Sequence, residues 1–133
     1  MALPDDRTQW LLDEAATVAG HAYAPYSKYH VGAALVTGDD QLVTGCNVEN
    51  GSYGLSMCAE RNAIFRAVAM FGNDVRPRAL AVVLENGDPI SPCGACRQVM
   101  MEFNPDMLVV FRSPDGVEQR TVRDLLPNGF AFR

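Results

Sequence analysis

No stretch of this sequence is apolar for long enough to cross a bilayer. Its longest strongly apolar runs, such as residues 79–84, fall far short of the roughly 20 residues a membrane helix needs. The first 21 residues carry Asp5, Asp6, Arg7, Asp13 and Glu14 and lack the apolar stretch of a secretory signal. A soluble, cytoplasmic protein without a membrane partner is expected. Basic residues are also scarce: 11 Lys and Arg against 16 Asp and Glu leave a net charge of −5. A protein that grips a phosphate backbone usually shows a basic stripe, so nucleic acid is not an expected partner. Internal repeats, low-complexity tracts and Pro/Gly/Ser-rich linkers are missing as well. With 48% hydrophobic and 20% charged residues, the 133 residues read as a single domain, 1–133, with a real core. Cysteines number only four and are not spaced as a disulfide framework. Two form Cys93-Gly-Ala-Cys96 and a third, Cys58, lies close to a glutamate, so reduced thiols with metal or redox chemistry fit best.

The elements that are present alternate. Residues 8–21 place Leu11, Leu12, Ala15, Val18 and Ala19 on one helical face, with Asp5 or Thr8 available as caps. Residues 23–27 read as a loop, and residues 31–37 and 41–47 as two strands of a hairpin joined at Gly38-Asp-Asp40. After a polar loop, residues 58–71 favour helix, with Ile64, Val68 and Phe71 at helical spacing. Residues 79–84 read as a strand buried on both faces. Pro92 then starts a helix over residues 93–103, followed by a buried strand over 107–111. A turn at 113–116 and a short helix at 121–126, stopped by Pro127, complete the chain. Alternating strands and helices predict an α/β sandwich.

Chemistry concentrates at two helix starts. Cys93 and Cys96 are three residues apart, so both sulfurs can reach one ion, and a helix N-terminus favours thiolate over thiol. Cys58 opens the other helix in the same manner. If both helix starts meet at one sheet edge, three thiolates hold a tetrahedral Zn²⁺ with one position open, the mark of a catalytic rather than a structural site. Glu60, two residues after Cys58, is placed to take a proton from water at that position and deliver it to a leaving group. Three thiolates exceed the charge of the metal by one, so a positive group must offset them. Arg61 is the side chain best placed to hydrogen-bond the sulfurs. Cys-x-x-Cys alone would suit a redox motif equally. The third cysteine, the nearby glutamate and the lack of a Trp-Cys context argue against that reading. Cys-x-Glu followed by Pro-Cys-x-x-Cys is instead the signature of zinc deaminases, here in an all-cysteine form.

The chain resembles the cytidine deaminases, specifically their small homotetrameric class with three cysteine ligands to zinc. The resemblance is carried by Ala24-Pro-Tyr-Ser-Lys-Tyr-His-Val-Gly-Ala-Ala34, Gly45-Cys-Asn-Val-Glu-Asn50, Cys58-Ala-Glu-Arg61, Ser91-Pro-Cys-Gly-Ala-Cys-Arg-Gln98 and Leu125-Leu-Pro127. It implies a three-layer α/β/α fold around a five-stranded mixed sheet. It also implies hydrolysis of cytidine and deoxycytidine to uridine and deoxyuridine, with release of ammonia, in pyrimidine salvage. Cys58, Cys93 and Cys96 take the place of the ligands to one Zn²⁺ per subunit, and Glu60 that of the general acid and base. Glu60 would protonate ring N3 and later the leaving amine as water adds to C4. By the same resemblance Asn47 and Glu49 bind the ribose 3′-hydroxyl and Tyr29 packs against the nucleoside. Backbone groups near Ala59 and Cys93 hold the base edge. Gly51, Tyr53 and Phe130 complete a neighbouring subunit's pocket in a homotetramer.

Other residues attract attention without earning a role. Cys46 reads as a buried free cysteine, His21 and His30 lack ligand spacing, and Met100 and Met101 read as helix core. Arg97 either positions the zinc loop or makes an ordinary ion pair. Rival functions are an aminohydrolase acting on a cytosine-bearing antibiotic such as blasticidin S, a polynucleotide-editing module and a structural zinc protein. The intact Asn47-Val-Glu49-Asn-x-x-Tyr53 stretch favours nucleosides over the first.

Overall fold

The computed structural model describes residues 2–132. Asp5–Ala19 forms α1, which buries Leu11, Leu12, Ala15 and Ala19 along one stripe. Neither expected cap operates. The helix is entered from Pro4, and the Thr8 hydroxyl donates back to the Pro4 carbonyl at 3.0 Å. Asp5 and Asp6 instead occupy the first turn, where a carboxylate suits the positive end of the helix dipole.

Val31–Thr37 (β1) and Leu42–Cys46 (β2) form the expected hairpin. A loop with one 3-10 turn at Tyr53–Leu55 leads into Ala59–Phe71 (α2). Then follow Pro77–Leu84 (β3), Gly94–Phe103 (α3), Leu108–Ser113 (β4), Gly116–Thr121 (β5) and Val122–Leu125 (α4). The sheet order is β2-β1-β3-β4-β5, with β3 and β4 parallel and the other neighbours antiparallel. This is the five-stranded mixed sheet that the resemblance implies.

Strand β5 is an addition to the local sequence reading, which passes from the turn at 113–116 to the helix at 121–126 with no strand between them. Gly116-Val-Glu-Gln-Arg-Thr121 is an edge strand with mostly polar residues, so no apolar run announces it. Thr121 then caps α4, accepting from the Asp124 amide at 3.1 Å.

Alternation along the central strands divides the core in two. Ala34 and Val36 of β1 with Ala79, Ala81 and Val83 of β3 pack on Leu11, Leu12 and Ala15 of α1. Ala33 and Leu35 with Leu80 and Val82 face the other way, toward Ala63, Ile64 and Ala67 of α2 and Met100 of α3. Each fully buried large side chain contributes about 1.5–3 kcal/mol, so both layers are bound firmly to the sheet. Two glycines permit the approach. A Cβ on Gly32 would collide with the Ala15 carbonyl of α1, and one on Gly45 would lie 2.5 Å from the Ala63 nitrogen of α2.

The topology gathers the loops of interest at one sheet edge. Val31 at the start of β1 pairs with Leu84 at the end of β3, and Gly32 pairs with Cys46 at the end of β2. The chain leaves β2 for α2 and β3 for α3 at this same edge. The N-termini of α2 and α3 therefore sit side by side there.

Candidate metal centre and substrate cavity

Cys58 and Cys93 are the N-cap residues of α2 and α3, and Cys96 lies in the first turn of α3. Their sulfurs all lie within 4.8 Å of one another, the three-ligand cluster found among the described residues. A tetrahedral site with Zn–S bonds of about 2.3 Å needs sulfurs about 3.8 Å apart, a separation inside that limit. Soft thiolates are the donor set that selects zinc, and the residues fit the metal. Cys46, half-buried, stands outside the cluster, and burial pushes its thiol pKa up. Its carbonyl instead accepts from Asn62 Nδ2 at 2.8 Å, which ties the end of β2 to α2.

The negative charge of the cluster settles first on Cys58. The Cys96 thiol donating to it is the largest cause of a pKa drawn down to about 5; burial opposes this, and the Arg61 hydrogen bond and charge assist. Cys96, as the donor to that thiolate and itself buried, holds its proton more tightly. Arg61 Nη2 donates to Cys58 Sγ at 3.3 Å, and this bond keeps the guanidinium protonated beyond its ordinary range. The positive group that the charge count on three thiolates requires is thus seated against a sulfur.

Glu60 follows in the first turn of α2 and is only 4% exposed. Burial raises its pKa to about 7, with the Cys58 charge adding to the rise and its own backbone amide and Arg61 opposing it. A dication held by the sulfurs would act against that rise. A carboxyl poised near neutrality can both take and give a proton.

Cys58, Cys93 and Glu60 border a cavity of about 250 Å³ whose other walls are Val31, Asn47, Glu49, Ser56, Met57, Ala59, Ile90 and Ser91. Small-molecule sites run to about 300 Å³ and above, so this cavity approaches the lower end of that range. Asn47 and Glu49 extend β2 past its last residue. Reciprocal backbone bonds between Val48 and Met57 (3.0 and 2.9 Å), and between this stretch and Tyr23, hold it extended. Residues two apart on an extended chain share a face, which is how both side chains reach one wall.

These two side chains already have partners. Asn47 Nδ2 donates to the Tyr29 carbonyl at 2.8 Å, and its Oδ1 accepts from the Val31 amide at 2.8 Å. Glu49 accepts from the Tyr26 and Ser27 amides at 3.0 and 3.1 Å and from the Ser27 hydroxyl in a short bond. The Ser27 hydroxyl is the main cause of the lowered Glu49 pKa, which burial opposes and the two amides and His30 reinforce.

Four expected substrate-side residues lie away from the cavity wall in this single chain. The Tyr29 ring borders a shallow depression with Lys28, His30 and Leu84. Tyr53 packs edge-on against Tyr26, centroids 5.8 Å apart, in a second concavity of about 340 Å³ that shares Glu49 and Ser56 with the first. Gly51 lies against the Tyr26 hydroxyl. Phe130 presents its ring to solvent while its carbonyl accepts from Gln98 Nε2 at 2.9 Å.

Arg97 takes the first of its two expected roles. It donates to the Pro92 carbonyl, one residue before Cys93, and to the Leu125 carbonyl, both at 2.8 Å, and so fastens the α3 start to α4. Sequence reasoning overlooked Val31, Ser56, Met57, Ile90 and Ser91 as cavity walls. Three of them immediately flank ligand motifs, a signal that was available. Ile90 arrives through a bridge to Arg112, which no local pattern announces.

Residues 5–112 match the family described as the cytidine and deoxycytidylate deaminase zinc-binding region. A cytidine deaminase of Sporosarcina psychrophila is 47% identical over 124 residues, covering 91% of this chain and 89% of its own length. One from Mycobacterium tuberculosis is 43% identical over 130 residues, covering 98% and 94%. The crystal structure of a cytidine deaminase from Burkholderia pseudomallei superposes with a TM-score of 0.83 at 48% identity, covering 92% of this chain and 98% of that one. No helix among the described residues is long and apolar enough to cross a membrane. Matched over most of its length in sequence and in fold, and carrying the three-cysteine cluster, the chain belongs to the cytidine and deoxycytidylate deaminase family.

Proposed function

We propose that this protein hydrolyses cytidine to uridine and deoxycytidine to deoxyuridine, consuming one water and releasing one ammonia, in pyrimidine salvage. The observation that carries the reading is a buried carboxyl, Glu60, beside three clustered cysteine sulfurs at the wall of a cavity of about 250 Å³. Cys58, Cys93 and Cys96 would hold the zinc, which when bound supplies the Lewis acidity that makes water a nucleophile at neutral pH. Glu60 carries the protons: it accepts one from the attacking water and gives it to ring N3 as the oxygen adds at C4, then takes the second from the C4 hydroxyl and delivers it to the departing amine as the carbonyl forms. Arg61 balances the thiolate charge. Backbone groups of Ala59 and Cys93 meet the base edge, while Asn47 and Glu49 meet the ribose hydroxyl.

The remaining roles need more than one chain. Tyr53 and Phe130 expose their rings, and Gly51 lies in the same loop as Tyr53. In a homotetramer these groups would close a neighbouring pocket, with the Phe130 ring stacked on the pyrimidine. Free thiol ligands suit a reducing compartment such as the cytoplasm.

The test is a zinc determination and a cytidine assay on one sample. About one zinc per chain together with loss of cytidine absorbance and appearance of uridine and ammonia is expected. Zinc-replete protein that leaves both cytidine and deoxycytidine unchanged would overturn the reading. Turnover of blasticidin S in place of cytidine would move the assignment to the antibiotic aminohydrolases.

A further inference from the structure

Residues 26–31 are stitched to the ribose-side wall by bonds that all end on Asn47 or Glu49. Among these partners one is a side chain, the Ser27 hydroxyl, which donates to Glu49 Oε2. The Ser27 oxygen in turn accepts from the Tyr29 amide at 3.0 Å. Ser27 therefore bridges across Lys28, which stands at φ 65°, a left-handed conformation disfavoured for residues with a Cβ. The turn persists because the bridge and the Glu49 carboxylate together over-determine it.

An ionised carboxylate offers about four acceptor sites. The Tyr26 amide, the Ser27 amide and the Ser27 hydroxyl occupy three of those on Glu49, so one remains, and its direction is set by what holds the other three. Both amide donors belong to the turn that the Ser27 hydroxyl closes. Removing that hydroxyl loosens the carboxylate and its other donors at once.

We propose that Ser27 is a positioning residue for nucleoside recognition, its hydroxyl aiming the free acceptor site of Glu49 at the ribose 3′-hydroxyl. This rests on the reading of Glu49 as a ribose ligand. The residue touches no reacting atom, so its contribution lies in binding rather than in the chemical step.

The experiment compares cytidine with 3′-deoxycytidine on the zinc-loaded wild-type enzyme and on Ser27→Ala, Ser27→Thr and Glu49→Ala. Ser27→Ala should raise KM for cytidine about tenfold with kcat within about twofold, the loss of a bond to a charged group. Its KM for 3′-deoxycytidine should match wild type, and Ser27→Thr, which keeps the hydroxyl, should restore cytidine binding. An unchanged cytidine KM in Ser27→Ala, or an equal rise for both nucleosides, overturns the role of Ser27. Glu49→Ala separates the two readings. If it raises KM for cytidine alone while Ser27→Ala fails to do so, only Ser27 is misassigned. If it changes KM equally for both nucleosides, the ribose role of Glu49 fails and this proposal with it.

Discussion

Glu60 gains its character from position more than from type. Burial in the first turn of α2 raises its pKa to about 7, and Arg61, next along the helix, turns to the Cys58 sulfur. Substituting Glu60→Gln keeps the shape and removes the carboxyl proposed to carry the protons. The expected outcome is a fall in kcat of about 10²–10⁴ with zinc content unchanged, measured by steady-state assay and metal analysis of the same preparation. A glutamine enzyme retaining full rate would show that another group moves the proton. The cluster was legible in the sequence because the three cysteines, the carboxyl and the guanidinium that the structure brings together all fall within Cys58-Ala-Glu-Arg61 and Pro92-Cys-Gly-Ala-Cys96. The role proposed for Ser27 was not legible: the residue falls in a stretch that carries the resemblance, but its bond to Glu49, 22 positions along the chain, has no local signal.

At the scale of elements, the strands with an apolar run were readable and the edge strand β5 was not, because Glu118, Gln119 and Arg120 give no hydrophobic signal. Helix starts were placed within a few residues, but the entry to α1 defeats a rule based on capping side chains, since Pro4 supplies only a carbonyl. The contact between β2 and α2 was also invisible in sequence. Gly45 lets α2 lie so close that an added Cβ would be 2.5 Å from the Ala63 nitrogen and 2.8 Å from the Ala59 carbonyl, backbone atoms that no rotamer change can move. Gly45→Ala should therefore cost about 3 kcal/mol, a fall in Tm of roughly 10 °C by thermal unfolding. Because Cys58 and Glu60 ride on α2, activity should fall in parallel. Gly38→Ala, whose Cβ would come no nearer than 3.9 Å to a neighbouring atom, is the control and should shift stability by less than about 0.5 kcal/mol. Equal Tm values for the two variants would mean that α2 is not held as closely as the contact implies.

For the whole molecule, the question is why so much aromatic surface stands around an otherwise well-buried core. Tyr53 is 74% exposed and Phe130 66%, and neither ring lies in the wall of the cavity that holds Glu60. Tyr26 and Tyr53, exposed with their rings 5.8 Å apart, form a paired aromatic surface of the kind that marks an interface. If a neighbouring subunit closes each pocket, the proton carrier and the stacking ring of one working site come from different chains. Two damaged subunits can then repair each other. Glu60→Gln subunits lack the proton carrier but keep Phe130, while Phe130→Ala subunits keep Glu60 and lack the ring. Co-expressed under separate tags and purified as mixed oligomers, they would contain pockets that join an intact Glu60 to a neighbour's intact Phe130. Such a preparation should be more active per Glu60 than the Phe130→Ala homomer, and light scattering should report four subunits for both. Activity equal to the average of the separate variants would mean that Phe130 serves its own chain or no pocket at all. A purely monomeric mass would remove the premise, leaving the exposed rings as ordinary surface.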